Sequence, residues 1–110
     1  MGKKLDLLPG TLDVLILKTL SRNRAMHGYG IAESLAEATE GVFDVDEGSL
    51  YPALQRLLLD GYVEAEWGRS ENNRRARYYK LTADGRRHLH REQAQFHRLM
   101  EAMLRVLRPA

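Results

Sequence analysis

The chain contains no cysteine, which removes disulfide frameworks and thiolate zinc sites from consideration and suits a reducing compartment. No apolar run approaches the roughly 20 residues a membrane-spanning helix needs, and the first residues lack a hydrophobic signal region. Met1-Gly2-Lys3-Lys4-Leu5-Asp6 starts like an acylation site but carries Asp6 where Ser or Thr is required. The expected setting is therefore soluble and cytoplasmic, with no membrane partner. No nucleophile, base and orienter set is present, nor a Gly-rich phosphate loop, nor paired carboxylates placed for a cleft. The chain does not read as an enzyme, and no cofactor is expected. His88, His90 and His97 lack the i, i+4 pairing of a two-histidine helical site, so they read as surface residues and no metal is expected.

What is present is enough apolar material for one modest core: 44% of 110 residues. The formal charge of +2 hides an asymmetry. Residues 1–60 hold six Lys or Arg against nine Asp or Glu, whereas residues 69–91 hold eight basic residues against only Glu71 and Asp84. A local positive stripe matters more than net charge for attracting a polyanion, because screening confines each charge to about 10 Å at moderate salt.

Along the chain, a turn at Pro9-Gly10-Thr11 leads into a helix to about Arg22, with Leu12, Leu15, Ile16 and Leu20 on one face. The polar run from Ser21 to Gly28 reads as a connection. A second helix starts near Tyr29, turns Ile31 and Leu35 inward, and ends around Thr39 to Gly41. Val42 to Val45 alternates like a short strand or extended turn. The stretch that follows organises the rest. Leu50, Leu54, Leu57 and Leu58 recur at helical spacing, Ser49 is placed to cap, and Gly61 stops the helix. Ser49, Tyr51, Gln55 and Arg56 then form an outward set of hydrogen-bonding groups suited to a DNA major groove.

After Gly61 the apolar period changes to two. Val63, Ala65 and Trp67 share one face of a strand, with Trp67 expected as a core anchor. A second strand, Ala76 to Thr82, turns Tyr79 and Leu81 the same way. The pair is a hairpin whose tip carries Arg74, Arg75 and Arg77, in the position of a wing behind a helix-turn-helix. Thr82-Ala83-Asp84 caps a last helix to about Leu107. On it Leu89, Gln93, Phe96, Met100, Met103 and Leu107 follow alternating spacings of four and three, a seam for a second copy of the chain. The fold class expected is α+β, mostly α: a winged helix-turn-helix over residues 1–82 and a dimerisation helix over 83–110. The competing reading is a winged-helix module that binds a protein and no DNA, for which the acidic residues Glu33, Glu37 and Glu40 speak.

Leu8-Pro9-Gly10-Thr11-Leu12-Asp13-Val14-Leu15-Ile16-Leu17, His27-Gly28-Tyr29-Gly30-Ile31, Gly48-Ser49-Leu50-Tyr51-Pro52-Ala53-Leu54-Gln55-Arg56-Leu57, Gly61-Tyr62-Val63 and Arg77-Tyr78-Tyr79-Lys80-Leu81-Thr82 together resemble the PadR family of bacterial transcriptional regulators. The short C-terminal part, one long helix, resembles the family's small subfamily, and the Glu71-Asn72-Asn73-Arg74-Arg75 wing a branch common in Acidobacteria. The resemblance implies a winged-helix homodimer that represses promoters at a pseudo-palindromic double-stranded DNA operator, often under a small-molecule effector. By position it implies recognition-helix roles for Ser49, Tyr51 and Arg56, a phosphate contact at Tyr29, and wing contacts at Arg74 and Arg75.

Overall fold

The computed structural model describes residues 10–109. Pro9 and the basic lead at Lys3 and Lys4 lie outside them. The elements run α1 (Thr11–Ser21), β1 (Met26–His27), α2 (Gly28–Ala38), α3 (Glu47–Leu59), β2 (Val63–Arg69), β3 (Arg75–Leu81) and α4 (Ala83–Leu107). The strands form one antiparallel sheet in the order β1-β3-β2. This is the expected mostly helical winged helix-turn-helix with a long final helix.

One core joins these elements. Leu12, Ile16, Leu17 and Leu20 of α1 meet Ile31 and Leu35 of α2 and Leu50, Ala53, Leu54 and Leu57 of α3. The sheet adds Val63, Tyr79 and Leu81, and α4 adds Leu89. Ile16, Leu17, Ile31, Leu54 and Leu57 are fully buried, so α1 and α3 contribute most of the centre. Ala53 also belongs there, where only a small side chain lets α3 approach its neighbours.

Three details depart from the pattern of the sequence. The connection after α1 includes a strand: Met26 and His27 pair with Tyr79 and Tyr78 of β3, giving the hairpin a third neighbour. Two residues are too few to show an alternation, which is why the pattern hides them. Residues 42–46 form no strand; this extended link carries Val45 onto the core, and Thr39 holds its start by accepting the Phe43 N–H at 3.0 Å. Helix α3 starts at Glu47, not after Ser49. Asp46 is the cap, its Oδ1 accepting the Ser49 N–H at 2.8 Å. Pro52 therefore lies in the second turn, where its missing N–H leaves the Gly48 carbonyl without its helical donor.

Helix α3 ends as a Schellman turn. Tyr62 N–H reaches Leu57 O at 3.0 Å and Gly61 N–H reaches Leu58 O at 3.1 Å, with Gly61 at φ 77°. The chain then passes straight into β2, so α3 and the hairpin are joined without a loose link. Helix α4 is fastened to the same junction. The Thr82 hydroxyl accepts the Gly85 N–H at 2.9 Å and donates to Gly61 O at 2.7 Å, while Thr82 N–H donates to Tyr62 O at 3.1 Å. Gly85 lies so close to that junction that a Cβ on it would collide with Tyr62 O.

Candidate nucleic-acid interface

The exposed side of α3 follows from its helical period. Leu50, Ala53, Leu54 and Leu57 are buried, so the opposite stripe presents Gly48, Pro52, Gln55 and Leu59 to solvent. Ser49 and Arg56 flank this stripe toward α1, and Tyr51 flanks it toward α2. Because Asp46 caps the helix, the Ser49 hydroxyl is not spent on its own backbone and stands exposed. The start three residues earlier also changes the electrostatics of the helix end. Asp46 and Glu47 place carboxylates at the N-terminus of α3, so the positive end of its dipole is already neutralised and does not attract phosphate.

Arg56 is engaged within the subunit. Its Nη2 donates to Oδ1 of Asp13 in the first turn of α1 at 2.9 Å, a pair that remains half exposed. That interaction is worth at most about 1 kcal/mol and uses one of five guanidinium donors, so the others stay available to an anion on the α1 side.

Tyr51 faces the other way. Its ring lies over the start of α2, where a Cβ on Gly28 would come within 3.1 Å of Tyr51 Cε1; a glycine is what allows the phenol to settle there. Burial, then the Glu47 carboxylate and Tyr79, hold the Tyr51 phenol above its ordinary value of 10.0. It is therefore a neutral O–H donor throughout the physiological range. At the same helix start, His27 caps α2 by accepting the Gly30 N–H on Nδ1 at 2.9 Å. Its ring meets Tyr78 edge-on, 5.4 Å between centroids. Tyr29, one residue further along α2, is 71% exposed.

The hairpin supplies the charge. Paired residues on one of its faces run Val63 with Leu81, Ala65 with Tyr79, Trp67 with Arg77 and Arg69 with Arg75. Within one strand length that face passes from buried core to bare arginine. At the tip Ser70 N–H reaches Arg74 O at 2.8 Å and Asn73 N–H reaches Ser70 O at 2.9 Å, with Asn73 left-handed at φ 59°. This is the three-residue turn with a following bulge that asparagine tolerates. Among the described residues no carboxylate pairs with Arg74, Arg75 or Arg77, whereas Lys80, nearer the body, pairs with Glu64 at 3.2 Å. Trp67 is not the core anchor that its spacing predicts. It is 58% exposed, and the Arg75 guanidinium lies over its ring, 4.3 Å from the centroid.

These parts enclose a groove between the start of α2, the flank of α3 and the wing, which brings together Tyr29, Tyr51, Arg74, Arg75 and Arg77. Ser49, Gln55 and Arg56 lie outside it, on the outer stripe of α3 and its α1 flank. The residues expected in the dimer seam separate too. Leu89, expected in the intersubunit seam, is 3% exposed and belongs to the core of its own subunit. Met100, Met103 and Leu107 are exposed, together with Leu99, Leu104 and Val106. Phe96, half buried, lies between the two groups. His88 stacks on Tyr62 at 4.1 Å and is thereby part of the α4 joint. Among the described residues no three His, Asp or Glu side chains converge in a way that would hold a metal ion, and no helix is long and apolar enough to cross a membrane.

Sequence signals for two of these features are present. Asp46, a good N-cap residue, stands just ahead of the leucine stripe. Arg77, opposite Trp67 in the register, marks the point where that sheet face has left the core.

A helix presented on one side of a three-helix core and joined directly to a basic hairpin defines a winged-helix DNA-binding protein. Residues 16–91 match the family described as the transcriptional regulator PadR-like family, and the chain belongs to it. A PadR family transcriptional regulator from Eggerthella lenta is 30% identical, with a TM-score of 0.76 over 92% of this chain and 85% of that one. A transcriptional regulator from Clostridium thermocellum shares the fold at 24% identity, with a TM-score of 0.81 over 90% of this chain and 95% of that one. An uncharacterized protein from Lysinibacillus sphaericus is 31% identical over 84 residues, 76% of each chain. The protein is thus a DNA-binding transcriptional regulator and not an enzyme.

Proposed function

We propose that the protein acts in the cytoplasm as a homodimeric repressor. The outer parts of two α4 helices pack together, and two α3 helices enter successive major grooves of a pseudo-palindromic operator, centred about 34 Å apart or a multiple of it. The observation that carries this reading is the combination of Ser49, Gln55 and Arg56 exposed on the outer side of α3 with an arginine cluster, on the hairpin fastened to it, that has no carboxylate partner among the described residues. Gln55 and Ser49 reach base edges, with Arg56 beside them on the α1 flank. Tyr29, Tyr51, Arg74, Arg75 and Arg77 hold the backbone and fix the register. A small-molecule effector would act by changing the angle between the two α4 helices, and so the separation of the α3 pair.

The test is a fluorescence anisotropy titration of labelled duplex from the gene's upstream region at several salt concentrations. Replacing Arg74 and Arg75 by alanine should weaken binding to all duplexes alike and reduce the salt slope by about 0.9 for each phosphate no longer neutralised. Gln55→Ala should instead lower the preference for the upstream sequence over random duplex by about 1–3 kcal/mol. Equal affinities for wild type and the double-arginine variant at every salt concentration would remove the wing from the interface. A wild type that binds no duplex would favour the protein-binding module, for which the carboxylates at the start of α3 and along α2 are suited.

A further inference from the structure

Trp67 has no role in the fold that accounts for it. A large indole on a small domain is ordinarily spent on the core or on an interface, and here the core ends before reaching it. On the same sheet face Val63 is buried and Ala65 is half buried, but Trp67 is 58% exposed. What covers part of the ring is a cation. The Arg75 guanidinium stands 4.3 Å from the ring centroid, reaching diagonally across the hairpin from the strand where Arg77 is the direct partner of Trp67. Arg69, the direct partner of Arg75, is drawn elsewhere: its Nη1 donates to the backbone and side-chain oxygens of Asn73 at 3.3 Å. The stacked ring thus fixes a guanidinium that no carboxylate among the described residues holds. A planar fork fixed in advance loses less side-chain entropy when it meets a phosphate. The ring lines the same groove as Tyr29, Tyr51, Arg74 and Arg77.

We propose that Trp67 and Arg75 act as one DNA-backbone clamp: the indole orients the guanidinium toward a phosphate and is itself covered by the adjoining deoxyribose when duplex DNA enters the groove. The assignment rests on the DNA-binding reading above and adds to it a residue that is neither basic nor on the recognition helix. Stacking also explains why Arg75 is an arginine. A lysine there would keep the charge but lose the flat face that lies on the ring.

Trp67 is the chain's single tryptophan, so its emission reports this position alone. The full-length protein is titrated with labelled duplex while anisotropy and tryptophan emission are recorded on the same sample. Emission should be quenched or shifted in step with binding, and duplex should protect it from acrylamide. Trp67→Leu should weaken binding roughly tenfold, the size of a partly desolvated cation–π interaction and its packing, whereas Trp67→Phe should recover most of that loss. Arg75→Ala added to Trp67→Leu should cost little beyond either change alone, because the pair acts as a unit. Emission that stays constant while the duplex binds would overturn the clamp and leave the wider DNA-binding reading intact. So would an indole already shielded from acrylamide in the free protein, which would place it against the partner subunit. Absence of binding to any duplex would overturn both.

Discussion

The two ends of α4 differ more than any other two regions of the molecule. Its first turns belong to the body: Gly85 and Leu89 are buried, Thr82 ties the helix to the α3–β2 junction, and His88 stacks on Tyr62. Its last turns carry Leu99, Met100, Met103, Leu104, Val106 and Leu107 with half or more of most of these side chains in water. A helix of 25 residues extends about 38 Å, far beyond what the body can cover. The first half is finished within one chain; the second half leaves its apolar face in water, the face proposed above to meet a second copy. In the proposed dimer, fold and assembly share one helix, so a change in how two such helices meet would reach α3 through the Thr82 joint.

The largest effect should come from breaking the joint itself. Gly85→Ala drives a methyl group into the Tyr62 carbonyl oxygen and within 2.9 Å of Leu81 Cδ1. Backbone on one side and core on the other leave it nowhere to go, so α4 must shift off the hairpin. We expect a loss of about 3 kcal/mol or more in chemical denaturation, against the ordinary 1–3 kcal/mol for overpacking. A variant as stable as wild type would mean that α4 is seated less tightly on the junction than this packing requires.

Next in size, and opposite in kind, is Met100→Glu. It sits beyond the body on the exposed face, so the monomer's secondary structure should survive unchanged by circular dichroism. The dimer, in contrast, would bury a carboxylate from each chain without a partner. Sedimentation equilibrium should show the dimer constant weakened by roughly a hundredfold or more, and operator affinity should fall with it. An intact dimer would place the intersubunit contact elsewhere on α4.

The same contrast decides how much of the molecule is legible in its sequence. Residues of the body announce themselves through periodicity: the leucines of α3 recur at helical spacing because one face packs on α1 and α2, and Val63, Tyr79 and Leu81 alternate because one sheet face packs on the same core. The long helix and its Thr82 cap are equally plain. What periodicity hides is where packing stops. Leu89 and Met100 occupy the same seam by spacing, yet one lies in the core and the other in solvent, since spacing records direction and not distance from the centre. Trp67 misleads for the same reason: its alternation is correct, but its strand has outrun the core. Arg56 and Asp13 are distant in sequence and meet only because α3 crosses α1, so no local pattern pairs them. Ser49 and Asp46 are both good capping residues, so the sequence alone can start α3 three residues late; the geometry chooses the earlier.

The smallest predicted effect separates body from assembly most cleanly. Helix α2 ends in a Schellman turn, with Gly41 N–H on Ala36 O at 2.8 Å and Glu40 N–H on Glu37 O at 3.3 Å. The residue forced into the left-handed conformation is Glu40, at φ 52°, where the motif ordinarily uses glycine. A left-handed conformation costs a residue with a Cβ about 1–2 kcal/mol. Glycine relieves that but loses about 0.5–1 kcal/mol through the extra freedom of its unfolded chain. The first term is larger, and the Glu40 side chain is exposed, so little packing is given up by removing it. Glu40→Gly should therefore stabilise the body by about 0.5–1 kcal/mol in urea denaturation while leaving the dimer constant where it was. If stability rose and dimerisation tightened together, folding and assembly would be coupled through more than the root of α4, and the division drawn between its two halves would have to move toward the C-terminus.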